Sequence, residues 1–132
     1  MEKDDISFKA EKYYFNYRVA AYIEYKNKIL LHRPYETSYW NLVGGRVKYG
    51  EDTKTAIIRE LKEEINFDVE DRKFKTLLFQ ENFFGNEKVD CHELLVVYHI
   101  KVNSKDEITQ QDEFTLGEIV FKWFDKEDVK NY

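Results

Sequence analysis

The chain has 132 residues and a mass of 16.0 kDa, a length that builds one domain (residues 1–132) with a real core and not two. Hydrophobic residues make up 42% and charged residues 36%, which excludes a disordered chain; a net charge of −5 without a lysine/arginine block argues against nucleic acid as the main partner. Cys91 is alone, which excludes a disulfide framework and a cysteine zinc site, and no run of about 18 apolar residues offers a membrane span.

In chain order, Met1 to Phe15 is charged and lacks an apolar signal core, so the expected location is cytoplasmic. Arg18 to Tyr25 and Ile29 to Arg33 are apolar and β-branched around a Lys26-Asn27-Lys28 turn, the pattern of a hairpin. Pro34 to Tyr39 is a loop. Trp40 to Val43 is a short strand running into the Gly44-Gly45 turn, and Tyr49-Gly50-Glu51 is a second turn. From Thr53 to Ile65 the period becomes helical, with Ile57, Leu61 and Ile65 at i, i+4 and i+8. Asp52 is the N-cap this helix calls for, and Asn66 tolerates the left-handed conformation of a helix stop. Phe74 to Phe84, Glu93 to Val102 and Ile119 to Phe124 carry strand composition; Asn103 to Gly117 is a long polar connection, and Asp125 to Asn131 has room for one or two helical turns. Several strands around one strong helix predict a mixed α/β (α+β) layered domain.

That helix carries an electrostatic problem. With Glu60 set at 0° and about 100° per residue, Glu64 falls near +40° and Glu63 near −60°, while Ile57, Leu61 and Ile65 fall from about +60° to +140°. Three carboxylates thus border the buried stripe, where mutual repulsion is strengthened by partial burial. Either Arg59 and Lys62 neutralise them, as on an ordinary solvated helix face, or a hard divalent cation does. The glycine turn that leads into the helix lets backbone approach a ligand closely, and the absence of a Gly-Lys-Ser/Thr sequence after it rules out a P-loop.

Gly45, Glu51 and then Arg59-Glu60-Leu61-Lys62-Glu63-Glu64-Ile65-Asn66-Phe67 match the spacing G-x5-E-x7-R-E-U-x-E-E-x-G-U, where U is apolar. This resembles the Nudix box, with Asn66 in place of the usual glycine. Trp40 to Gly45 is similar to the W-x-L-P-G-G lead-in of the same family, with Val43 in place of proline. The resemblance implies an α/β/α sandwich around a mixed sheet. Because the chain given stops at Tyr132, the C-terminal helix is expected to be short or missing, with a homodimer or the N-terminal segment covering the second sheet face.

The resemblance also implies a hydrolase that uses Mg²⁺ or Mn²⁺ to cleave the pyrophosphate bond of a nucleoside diphosphate linked to another group. Carried onto this chain, Glu60 and Glu64 are the primary metal ligands, Glu63 is a ligand or a base acting through water, and the Gly44 carbonyl is a further ligand. Glu51 and Arg59 pair and orient the carboxylates. Gly44, Gly45 and Arg18 are candidates for phosphate contact, Phe83 and His92 for the substrate pocket, and Glu113 for an extra loop carboxylate. Asp106, Glu107, Asp112 and Glu118 compete with Glu113 for that last role, or are plain surface charge. Arg33 is a further candidate for phosphate contact, against a surface salt bridge; Tyr35, Tyr39 and Trp40 are candidates for stacking on a base, against the commoner role of core packing, and Cys91 and His99 are structural. A nucleotide-sensing domain without catalysis and an RNA 5′-end pyrophosphohydrolase are the competing functions.

Overall fold

The computed structural model describes residues 4–69, 74–103, 108 and 111–129. Its organising element is the strand β2 (Tyr13–Tyr25), preceded by β1 (Ser7–Ala10) and followed by β3 (Lys28–Pro34) and β4 (Asn41–Arg46). The helix α1 (Thr53–Ile65) leads to β5 (Lys75–Gly85), β6 (Asp90–Lys101), β7 (Glu113–Leu116), β8 (Ile119–Asp125) and a 3₁₀ turn (Lys126–Val129). The strands form one mixed sheet in the order β5-β6-β2-β4-β3-β8-β7 with β1 also on β2; β2 and β6 are parallel and the other pairs antiparallel.

The expected hairpin between β2 and β3 exists for only two pairs, Glu24 with Ile29 and Tyr25 with Lys28. Beyond them the strands diverge and β4 enters, pairing Arg18 to Ala21 with Arg46 to Val43. Gly44 permits this insertion, because a Cβ there would collide with the backbone of Val19 and Ala20. One edge of β2 therefore carries β1, β4 and β3 in succession, and its other edge carries β6 over Tyr13 to Glu24.

Alternation along β2 turns Val19, Ala21 and Ile23 to one face, where Val43, Val96, Ile100, Leu30, Phe121 and Trp123 join them. Helix α1 covers that face with Ala56, Ile57, Leu61 and Ile65, all buried. Both helix ends close as the sequence suggests. The Thr55 amide donates to the Asp52 carboxylate at 2.7 Å, which holds that carboxyl below its usual value. Asn66 adopts φ 51°, ψ 35°, so that its amide donates to the Lys62 carbonyl and the Phe67 amide to that of Leu61.

Two elements depart from the sequence expectation. The polar connection Asn103 to Gly117 contains β7, paired with β8 through a turn at Gly117 (φ 59°). The Phe114 ring stacks on Phe121 at 5.0 Å, and that cross-strand contact outweighs the polar composition around it. Asp106 and Glu107 lie outside the described residues. Near the N-terminus, β1 extends the sheet beside β2 rather than covering its second face. The C-terminal turns reduce, among the described residues, to the 3₁₀ turn, whose Lys126 pairs with Glu24. Among the described residues no helix is long and apolar enough to cross a membrane.

Candidate active site

Helix α1 meets the sheet most closely at β4. Gly45 pairs with Val19 and faces the helix, and a Cβ on it would strike the Glu60 carboxylate. The glycine therefore makes room for a carboxylate laid directly against strand backbone.

Around Glu60 the charges are organised by one guanidinium. Arg59 Nε and Nη2 donate to the two Glu51 oxygens at 3.1 and 2.6 Å, and Nη2 also donates to the Arg46 carbonyl at 3.0 Å. Its Nη1 donates to Glu60 Oε1 at 3.0 Å and to Glu63 Oε2 at 3.2 Å. The Lys48 amide completes Glu51 at 2.8 Å. Burial alone would raise the Glu51 carboxyl, but the hydrogen bonds from Arg59 and Lys48 outweigh it and hold it below its usual value. The bond to Glu51 leads in raising the Arg59 pKa, so this arginine stays charged throughout.

Glu60 and Glu64 have the opposite environment. Burial pushes the Glu60 carboxyl up despite the Arg59 contact, and the charges of Glu63 and Asp5 add to the rise. Burial and then the Glu60 charge push Glu64 up to about 7, opposed by Arg18. Glu64 Oε2 is buried and has no hydrogen-bond partner among the described residues. A buried carboxylate oxygen left this way costs free energy that a cation would recover. No three metal-ligating side chains form a ready-made ligand set among the described residues. The donor chemistry nevertheless fits a hard divalent ion: all-oxygen donors, raised carboxyl pKa values and an unpaired oxygen at Glu64.

The sequence candidates separate into two groups. The structure brings Glu51, Arg59, Glu60, Glu63 and Gly45 together, with Glu64 one turn along the helix from Glu60 and in electrostatic contact with it. Gly44 lies alongside on β4 and serves the β2 contact. Arg18 pairs with buried Glu93 at 3.7 Å and remains in electrostatic reach of Glu64. Phe83 and His92 are not brought to the carboxylates. They pair across β5 and β6 in the same row as Phe15, roughly 13 Å along β2 from Val19, and their rings lie 4.4 Å apart at a tilt of 45° in a separate aromatic cavity. Glu113 opens β7 opposite Lys122 and is exposed. Its neighbour Phe114 lines, with Glu63, Glu64, Asn66, Ile108 and Leu116, a cavity of about 660 Å³ beside the last helical turn. Sequence reasoning missed this wall, because it depends on β7, and missed Asp5, which reaches Glu60 only through sheet pairing.

The NUDIX domain family model matches residues 15–132. The chain belongs to the Nudix family. Solved Nudix structures share its fold at low identity. A MutT NUDIX hydrolase from Burkholderia pseudomallei aligns at 21% identity over 89% of this chain and 88% of its own, with a TM-score of 0.67. An Ap4A hydrolase from C. elegans aligns at 21% identity over 86% and 83%, with a TM-score of 0.54. The NUDIX domain of Shewanella oneidensis NrtR, in complex with ADP ribose, aligns at 19% identity over 92% and 77%, with a TM-score of 0.55. No curated protein matches significantly. Within the Nudix pattern, the replacement of glycine by Asn66 preserves the left-handed helix stop.

Proposed function

We propose that this Nudix protein is a metal-dependent hydrolase that cleaves the pyrophosphate bond of a small nucleoside diphosphate derivative, with water as the nucleophile. The observation that carries this reading is the Glu64 carboxylate, with a buried unpartnered oxygen and a pKa pushed up to about 7, one helical turn from Glu60. Glu60, Glu64, Glu63 and the Gly44 carbonyl are the proposed holders of Mg²⁺ or Mn²⁺. The ion, when bound, supplies charge neutralisation for the diphosphate and a lowered pKa for water.

The chain's own groups do the rest. Arg59, fixed by both Glu51 oxygens, holds Glu60 and Glu63 in place and keeps their oxygens from swinging apart. Glu63 is exposed while Glu60 is largely buried, so Glu63 is the proposed acceptor of the proton from the attacking water. The cavity walled by Ile108, Phe114 and Leu116 adjoins Glu63 and Glu64 and has room for the group attached to the diphosphate. Among the fold relatives, one is an Ap4A hydrolase and another holds ADP ribose, and both compounds contain a pyrophosphate bond.

The test is a panel of nucleoside diphosphate derivatives with Mg²⁺ or Mn²⁺, assayed with wild type and Glu64→Gln. Metal-dependent cleavage that falls at least about a hundredfold in the variant is expected. Nucleotide binding without turnover would replace the reading with that of a sensing domain. Equal rates in the two proteins would remove the carboxylate cluster from the chemistry.

A further inference from the structure

Residues 4–10 precede the family match, and residues 4–6 are tied to the loop that joins β4 to α1. The Ile6 amide donates to the Val47 carbonyl at 2.8 Å, the Val47 amide to the Tyr17 carbonyl at 2.9 Å, and the Tyr17 amide to the Ile6 carbonyl at 3.0 Å. These three bonds close a ring between the N-terminal segment, β2 and the loop. One step further on, the Tyr49 amide donates to the Asp4 carbonyl at 2.8 Å, and Asp5 forms an antiparallel bridge with Lys48. Asp4 and Asp5 are exposed, so side-chain packing does not hold them there; backbone pairing does.

The loop so tied is the one that supports the carboxylates. The Lys48 amide donates to Glu51 Oε1 at 2.8 Å, and the Glu51 amide donates back to the Lys48 carbonyl at 3.1 Å. Glu51 grips Arg59 through both oxygens, and Arg59 contacts Glu60 and Glu63. A continuous chain of hydrogen bonds therefore runs from Asp4 and Ile6, through the Lys48–Glu51 turn and Arg59, to the two glutamates. The segment is also near enough for the Asp5 charge to act on Glu60.

We infer that residues 4–6 are a strap that positions the Lys48–Glu51 turn and, through Glu51 and Arg59, sets the carboxylate spacing on which cation affinity depends. This rests on the proposed metal-dependent reading and assigns a positioning role to a segment outside the family match. The strap acts through Glu51, so its loss and the loss of Glu51 are not additive.

Mn²⁺ binding to the full chain, read by electron paramagnetic resonance without substrate, tests it alongside thermal melting without metal. The decisive variant deletes residues 2–5, which removes the Asp4 and Asp5 pairing and leaves Ile6 to pack. Ile6→Pro removes the amide donor, and Ile6→Ala is its packing control. The deletion is expected to raise the Mn²⁺ Kd about tenfold, with melting close to wild type. Ile6→Pro is expected to exceed Ile6→Ala by a similar factor.

In a Glu51→Gln background the deletion is expected to add less than about twofold. Asp5→Asn alone is expected to stay within about twofold of wild type. A deletion that leaves Kd unchanged, or that costs the same factor with and without Glu51, overturns the strap. So does an Asp5→Asn variant that reproduces the whole loss, which would make Asp5 a ligand. Should Ile6→Pro fail to fold, the deletion and its coupling to Glu51 decide alone. A wild type that binds no Mn²⁺ overturns the functional reading and this inference together; normal wild-type binding with an unaffected deletion overturns only the strap.

Discussion

Glu24 and Glu64 are both withdrawn from water, yet their surroundings are opposite. Glu24 lies near the end of β2 at 7% exposure, bonded to His99 Nε2 at 2.9 Å and ion-paired with Lys101 and with Lys126 of the C-terminal 3₁₀ turn. Burial and the neighbouring lysines keep His99 below its ordinary pKa, so the lysines supply the countercharge and the imidazole a hydrogen bond. Glu64 instead faces the like charges of Glu60 and Glu63, has Arg18 as its opposing charge, and keeps one oxygen unpartnered. The Glu24 cluster completes itself and ties the C-terminal turn to the sheet. The Glu64 cluster is short of positive charge, and that deficit is what a divalent cation would fill. Acidity alone does not separate the two clusters; the unpaired oxygen does.

The comparison is broken most sharply by stability without metal, where the two carboxylates are expected to respond with opposite sign. Glu24→Gln removes the charge that its lysines meet and is expected to cost about 1–3 kcal/mol. For Glu64 the folded carboxyl titrates near 7 against an ordinary 4.5. Its cost is absent below pH 4.5, grows as pH rises through 7 and is complete above it. Glu64→Gln is therefore expected to stabilise the metal-free protein at pH 8 by about 2 kcal/mol, allowing for solvent screening of a half-buried group. It should also flatten the decline in stability between pH 5 and 8. Melting curves of both variants across that range check the pair, and a destabilised Glu64→Gln at pH 8 would end the contrast.

A smaller effect sharpens it. Because a cation must displace the Glu64 proton, Mn²⁺ affinity is expected to rise with pH up to about 7, by up to about tenfold per unit, and to level off above that. Calorimetric titrations at several pH values read this directly; a flat profile from pH 5 to 8 would place the cation elsewhere. Smallest is Gly45→Ala. The added Cβ meets the flexible end of Glu60, so the carboxylate swings away and the backbone stays in place. The expected result is a roughly three- to tenfold weaker Mn²⁺ Kd with melting nearly unchanged. Gly44→Ala, which meets backbone, should instead lower the melting temperature.

The helix and the placement of its carboxylates were legible because their causes are local. Asp52 and Asn66 close its ends with bonds spanning a few residues, and a period of 3.6 puts Glu60 and Glu64 on one side regardless of the rest of the fold. The pairing of Arg59 with Glu51 was implied by the resemblance to the family motif, and the structure has it at 2.6 Å.

What the sequence could not decide were positions set by pairing between distant strands. A hairpin pattern in β2 and β3 could not show that β4 would part them, since that depends on Gly44 pressed against the backbone of β2. The distance of Phe83 and His92, the candidates for the substrate pocket, from the carboxylates is set by the register of β5 and β6, which puts them in a different row from Gly45. Asp5 and Phe114 came near α1 through Lys48 and β8, contacts with no periodic signature in the chain. Spacing within one element fixed which groups face together. Strand register, which is paid for by contacts far apart in sequence, decided which groups meet.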